Sequence, residues 1–206
     1  MWRMSLPTPF VGRPVDEFIK RPPENGLAAK LLVRRPRANP AAPFVPSALK
    51  PLITRSGNLV FPRLRAPLPD QPWTDEYRVV VTCAGLTPLY TAPEGFAFQL
   101  SATSADARVL MPLLPTGSYQ YPAYLPVARG IVRKADEAQA GIVAAVGMAD
   151  RSLTDERGRF SLCLRAAPSD KPVTIDFRSS DGHVLTTRTF PTPVHATRSA
   201  VLVDIP

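Results

Sequence analysis

Proline occurs so often in this chain that long helices have no room to form. There are 25 prolines in 206 residues, about 12% against a usual 5% or so. Proline has no amide hydrogen to donate, and its ring collides with the preceding helical turn. A helical bundle, a coiled coil and a long βαβ array are therefore excluded. Disorder does not follow, because 45% of the residues are hydrophobic and no collagen-like glycine repeat is present. The pattern predicts an all-β protein with many loops, long enough to build two small cores.

The prolines and the charge share one end of the chain. Fourteen of the 25 prolines lie in residues 1–72. Residues 1–70 hold twelve Lys or Arg against four Asp or Glu, a net +8, while the remainder holds thirteen of each sign. Twenty of the 25 basic residues are arginine. Arginine favours planar, bidentate contacts at interfaces. A GC-rich genome, which favours Arg, Ala and Pro codons together, accounts for the excess equally well.

Strand-like runs fill the rest. In the first half these are Lys30–Arg35, Leu59–Phe61, Tyr77–Cys83, Gly95–Leu100 and Arg108–Leu114. Tyr77, Val79 and Val81 fall on one face of their run, as do Phe96, Phe98 and Leu100 of theirs. In the second half the runs are Val127–Arg133, Gly141–Val146, Arg159–Arg165, Val173–Arg178, Val184–Thr189 and Ser199–Ile205. Lys134–Gln139 reads as a polar helix-like or turn segment, and Asp181-Gly182 as a hairpin turn. This density of short strands predicts two small antiparallel β-sandwiches of immunoglobulin or transthyretin type. The expected organisation is an irregular N-terminal arm (1–27), a first sandwich (28–114), a junction rich in Tyr and Pro (115–126) and a second sandwich (127–206).

The second half carries a motif. Gly130-Ile131-Val132, Ala144-Ala145-Val146 and Thr154-Asp155-Glu156-Arg157-Gly158-Arg159-Phe160-Ser161-Leu162 follow one another. Thr154 and Asp155 start a turn, Gly158 supplies the permissive backbone, and Phe160 and Leu162 enter the core. This run resembles the carboxypeptidase-regulatory-like, or transthyretin-like, β-sandwich, and the resemblance implies an accessory module rather than an activity. The wider arrangement of residues 51–61, Tyr77–Cys83 and 113–132 resembles two-domain β-sandwich proteins encoded alongside contractile injection systems, the phage-tail-like particles. That resemblance implies a structural part near the cap or terminator end of the tail.

No catalytic constellation emerges. The two histidines, His183 and His195, are expected in exposed loops, and no further ligands stand at metal-binding spacing. Intradiol dioxygenases and the transthyretin-like hydrolases of purine breakdown use His patterns that this chain lacks. There is no Gly-x-Ser-x-Gly elbow and no phosphate-binding glycine loop. Asp155-Glu156 and Asp136-Glu137 read as solvated turn carboxylates, with a weak calcium site as the alternative. The expectation is a non-enzymatic protein without cofactor or metal. Cys83 and Cys163 are expected as small buried thiols. No apolar run reaches membrane-spanning length, and the start MWRMSLPTPF has no signal-peptide core. The expected location is the cytoplasm.

The candidate partner-binding residues are therefore Arg34, Arg35, Arg37, Arg63 and Arg65 of the basic region, with Tyr119, Tyr121 and Tyr124 of the junction. The tyrosines are expected to pack the junction; an aromatic ligand platform is the alternative. Aromatic residues interleave poorly with the arginines, which disfavours nucleic acid. The functional expectation is an oligomeric assembly subunit that contacts other protein subunits. The alternative is a polyanion- or carbohydrate-binding module.

Overall fold

The structure is a computed structural model, and it describes residues 10–23, 26–35, 42–65, 75–90, 95–100, 107–147, 149–165, 167–193 and 201–206. It is an all-β protein built from several mainly antiparallel sheets. The chain divides into two compact units. Unit 1 takes residues 1–15, 21–83 and 90–112, and unit 2 takes 16–20, 84–89 and 113–206.

Unit 1 contains β1 (Phe10–Asp16, shared at its end with unit 2), β2 (Ala28–Arg34), β3 (Val45–Pro46), β4 (Leu52–Ile53), β5 (Leu59–Val60) and β6 (Glu76–Thr82). β7 (Leu86–Pro88) belongs to unit 2, β8 (Phe96–Gln99) to unit 1, and β9 (Ala107–Pro115) begins in unit 1. One sheet of unit 1 runs β3-β2-β6-β8, and β4, β5, β1 and β9 are consecutive in the other. The ladder between β2 and β6 is long, from Ala28 opposite Thr82 to Arg34 opposite Glu76. Phe10 of β1 meets Phe98 of β8 with ring centroids 4.2 Å apart, which joins the two sheets through aromatic packing. Residues 10–16, expected within an irregular arm, form a strand because Phe10, Gly12 and Pro14 alternate as buried positions.

Unit 2 is a two-sheet sandwich. Its strands are β10 (Val127–Lys134), β11 (Glu137–Ala138), β12 (Val143–Val146), β13 (Asp150–Leu153), β14 (Arg159–Cys163), β15 (Val173–Arg178), β16 (Val184–Phe190) and β17 (Val201–Asp204). β10 pairs antiparallel with β11 and β14, and the second sheet runs β13-β12-β15-β16. Phe160 and Leu162 from the first sheet interlock with Ile175 and Phe177 from the second, with Phe160 edge-on to Phe177 at 5.3 Å.

The motif at 154–162 behaves as its chemistry dictates. Thr154 is buried; its hydroxyl accepts from the Ile142 amide at 2.9 Å and donates to the Gln139 carbonyl at 2.7 Å. The Asp155 carboxylate accepts from the amides of Arg157 and Arg159, and Gly158 turns the chain with φ +68°. The Lys134–Gln139 stretch is a tight hairpin rather than a helix, with Ala135 and Asp136 both at positive φ. Asp181-Gly182 does connect a hairpin, between β15 and β16.

One pair departs from the expected all-antiparallel sandwich. β17 runs parallel to β10, with Gly130 opposite Val201. A Cβ on Gly130 would sit 2.0 Å from the Val201 carbonyl oxygen, so the missing side chain is what lets this strand approach.

β14 departs from simple alternation. Ser161 and Cys163 are buried along with Phe160 and Leu162. Residues 115–121 account for it: the Tyr121 phenol donates to the Ser161 carbonyl at 2.9 Å, and Ser152 donates to the Pro115 carbonyl at 2.8 Å. The segment 115–126, placed between domains by the sequence, is counted within unit 2 and covers one of its strands. Neither cysteine is bridged; Cys163 is buried and Cys83 half-buried.

Candidate partner interface

In unit 1, the arginines predicted for binding are not alike. Arg34 lies directly across the ladder from Glu76, and its Nε donates to that carboxylate at 3.0 Å. Its guanidinium carbon stands 4.9 Å from the centre of the Phe44 ring, and that of Arg78 stands 3.9 Å from the same ring. Arg35 lies 3.8 Å from Asp75. Arg34 and Arg35 thus already have acidic neighbours. Arg37 lies outside the described residues. Arg63 and Arg65 are exposed and make no ion pair among the described residues.

Those last two belong to a longer stretch without acids. Residues 42–65 contain Lys50, Arg55, Arg63 and Arg65 and no acid at all. All four cations are exposed. The same stretch holds β3 and β4, which end their sheet orders. They expose Val45 and Leu52, 51% and 54% accessible. Both strands are two residues long, and Pro43, Pro46 and Pro51 flank or occupy them. Short edges broken by proline resist indiscriminate strand pairing. What remains is a patchwork of apolar side chains and guanidinium groups, the composition of a protein interface.

In unit 2 the junction tyrosines have different fates. Tyr119 and Tyr121 lie 4.6 Å apart, and the ring of Phe18 stands edge-on to both, at 5.7 and 4.8 Å. The Asp16 carboxylate accepts the Tyr119 phenol at 2.8 Å and the amides of Phe18 and Ile19. Arg165 lies over the Phe18 ring at 4.7 Å, donates to the Phe18 carbonyl at 2.9 Å and pairs with Asp150 at 3.0 Å. Glu17 pairs with Arg151 at 3.2 Å and with Lys20 at 2.6 Å. Burial alone would raise the Glu17 pKa, but the hydrogen bonds and charge of Lys20 and Arg151 hold its carboxyl below the ordinary value. Burial pushes the Tyr121 phenol well above the usual tyrosine range.

Tyr119 and Tyr121 are therefore covered by the 16–20 segment and pack as expected, leaving no open platform. Tyr124 does not pack; it is 84% exposed, because Pro122 and Pro126 hold it on an outward turn. Sequence reasoning did not single out Phe18, Asp16 or Arg165. Asp16 lies 103 residues from Tyr119, and Arg165 lies 147 residues from Phe18, which hides the cluster from any local pattern.

His183 is exposed and near Asp181; His195 lies outside the described residues. Among the described residues, no three His, Cys, Asp or Glu side chains converge to hold a metal ion. Among them, too, no helix is long and apolar enough to cross a membrane. No family model matches the chain, and neither the curated proteins nor the solved structures include a significant match.

Proposed function

We propose that this chain is a non-enzymatic, cytoplasmic assembly subunit that contacts other proteins in a multi-subunit particle. The particle is a contractile, phage-tail-like injection system, with this subunit near its cap or terminator end. The observation that carries the reading is the acid-free stretch of residues 42–65, which exposes Val45 and Leu52 and holds four exposed cations that make no ion pair among the described residues. Such a surface suits a partner that offers apolar side chains ringed by carboxylates, with charge setting register and encounter rate. The resemblance of 130–162 to carboxypeptidase-regulatory-like modules, and of the whole chain to two-domain injection-system proteins, supports the particle assignment.

The polyanion- or carbohydrate-binding reading has less support. It needs an open aromatic face beside the cations. Phe18 covers Tyr119 and Tyr121, which leaves Tyr124 as a single exposed ring of the three, and Phe44 is already flanked by Arg34 and Arg78.

The test is sedimentation of particles from the source cells. The subunit is expected to co-sediment with tube and sheath components at fixed stoichiometry. A Leu52→Asp, Arg63→Glu, Arg65→Glu variant is expected to lower that fraction about tenfold without loss of fold. A chain that stays monomeric by light scattering and never enters the particle fraction overturns the proposal.

A further inference from the structure

Unit 1 has a groove of about 730 Å³, within the range of roughly 300–1,000 Å³ typical of ligand sites. Its floor is the face of β1 turned away from the core. Phe10, Gly12 and Pro14 point inward, so the alternation turns Val11 and Arg13 outward. β9 contributes Arg108, Val109 and Leu110.

The opposite wall is the turn between β4 and β5. Gly57 has φ +76°, and a Cβ there would come within 2.2 Å of the Pro22 ring. Glycine therefore lets the turn close onto Pro22. Thr54 Oγ1 accepts the Asn58 amide at 3.1 Å, and the Asn58 side-chain amide donates to Ser56 Oγ at 3.2 Å. The wall is held by its own hydrogen bonds and presents Ser56 and Asn58 to the groove.

The chemistry of this lining is specific. It includes two guanidinium groups and, among the described residues, no carboxylate. Arg13 is exposed and makes no ion pair among the described residues. Beside it Leu110 is 60% exposed, with Val11 and Val109 half-buried. A guanidinium is weakly hydrated and matches a carboxylate in a planar fork. A simple inorganic anion would leave Leu110 in water; only an occupant with apolar flanks covers it.

We infer that this groove binds an extended acidic segment of a partner protein, its carboxylate held by Arg13 and its flanking aliphatic side chains seated on Val11 and Leu110. The inference rests on the assembly reading and names the chemistry of the partner.

Fluorescence anisotropy on the full chain tests it. The probes are a labelled, end-blocked pentapeptide alternating Leu with Asp and Glu, and its counterpart with Asn and Gln. The acidic peptide is expected to bind, and the neutral one to bind at least about tenfold more weakly. Arg13→Glu is expected to weaken the acidic peptide at least about tenfold, while Arg129→Glu, an exposed site on unit 2, leaves it unchanged. Leu110→Ser, which keeps the charge, is expected to weaken both peptides. Equal binding to wild type and Arg13→Glu, equal loss in Arg13→Glu and Arg129→Glu, or no binding of the acidic peptide each overturns the inference. Sedimentation of the particle separates this from the broader reading. If the peptide fails but the chain still co-sediments, the groove assignment alone falls. If the peptide binds but the chain never co-sediments, the groove stands and the assembly reading falls.

Discussion

The two units use arginine in opposite ways. In unit 2, Arg151 pairs with Glu17, Arg159 with Asp155, Arg165 with Asp150 and Arg178 with Asp176. Guanidinium groups there fix loops and strand ends to carboxylates of the same unit. In unit 1, Arg34 and Arg35 follow that pattern, but Lys50, Arg55, Arg63 and Arg65 stand in a stretch with no acid within it. The difference is one of local acid supply rather than of arginine content. Cations with acids within reach become structural; Lys50, Arg55, Arg63 and Arg65 are exposed and make no ion pair among the described residues.

The largest expected effect strikes unit 2. Gly130→Val places a branched side chain against the Val201 carbonyl, which stands 2.0 Å from where even a Cβ would lie. Displacing β17 costs about 3 kcal/mol or more, read as a lowered midpoint in denaturant titration. Unchanged stability would show that β17 pairing is dispensable.

Next comes the direct comparison of arginines. Arg165→Ala removes a partner from Asp150, which is 3% exposed, and also the cation over Phe18. The expected loss is about 1–3 kcal/mol. Arg63→Ala and Arg65→Ala should each change stability by less than about 0.5 kcal/mol. Equal losses from the two sets, measured by chemical denaturation, would erase the distinction between structural and outward-facing arginines.

Tyr121→Phe removes the phenol that donates to the Ser161 carbonyl and should cost about 1 kcal/mol, again by denaturant titration. A neutral result would mean that water replaces the phenol.

The smallest effect is on pH dependence. The Glu17 pKa is lower folded than its ordinary value of 4.5, so the folded state favours the ionised form. That stabilisation is complete above the unfolded-chain pKa and is lost as pH falls through the lower folded value. Glu17→Gln should therefore flatten the acid limb of the stability curve below about pH 4.5 and be felt much less as a change of slope above it. An acid limb identical to wild type would remove Glu17 from the account.

Much of the strand pattern was legible. Phe96, Phe98 and Leu100 alternate as buried positions, and so do Val173, Ile175 and Phe177, because a pleated strand with one buried face imposes a period of two. The turn at 154–158 was legible because Asp155 and Gly158 act within four residues of each other. β14 was only half legible: Ser161 looks like an outward residue until the 115–121 segment covers it. Arg34, Arg35, Arg63 and Arg65 could be found as basic residues, but not sorted, since Glu76 and Asp75 lie about forty residues from the first two.

By itself, the sequence determined the class of fold. Proline density excludes helices through a missing donor and a steric clash, both properties of the residue alone, and period-two alternation supplies strands. Only the tertiary structure decided which charges are free. An ion pair depends on distance in space: the register of β2 against β6 brings Glu76 to Arg34, while Arg63 and Arg65 meet no acid among the described residues. The same holds for Phe18, Tyr119 and Tyr121, which meet only because residues 16–20 fold into unit 2.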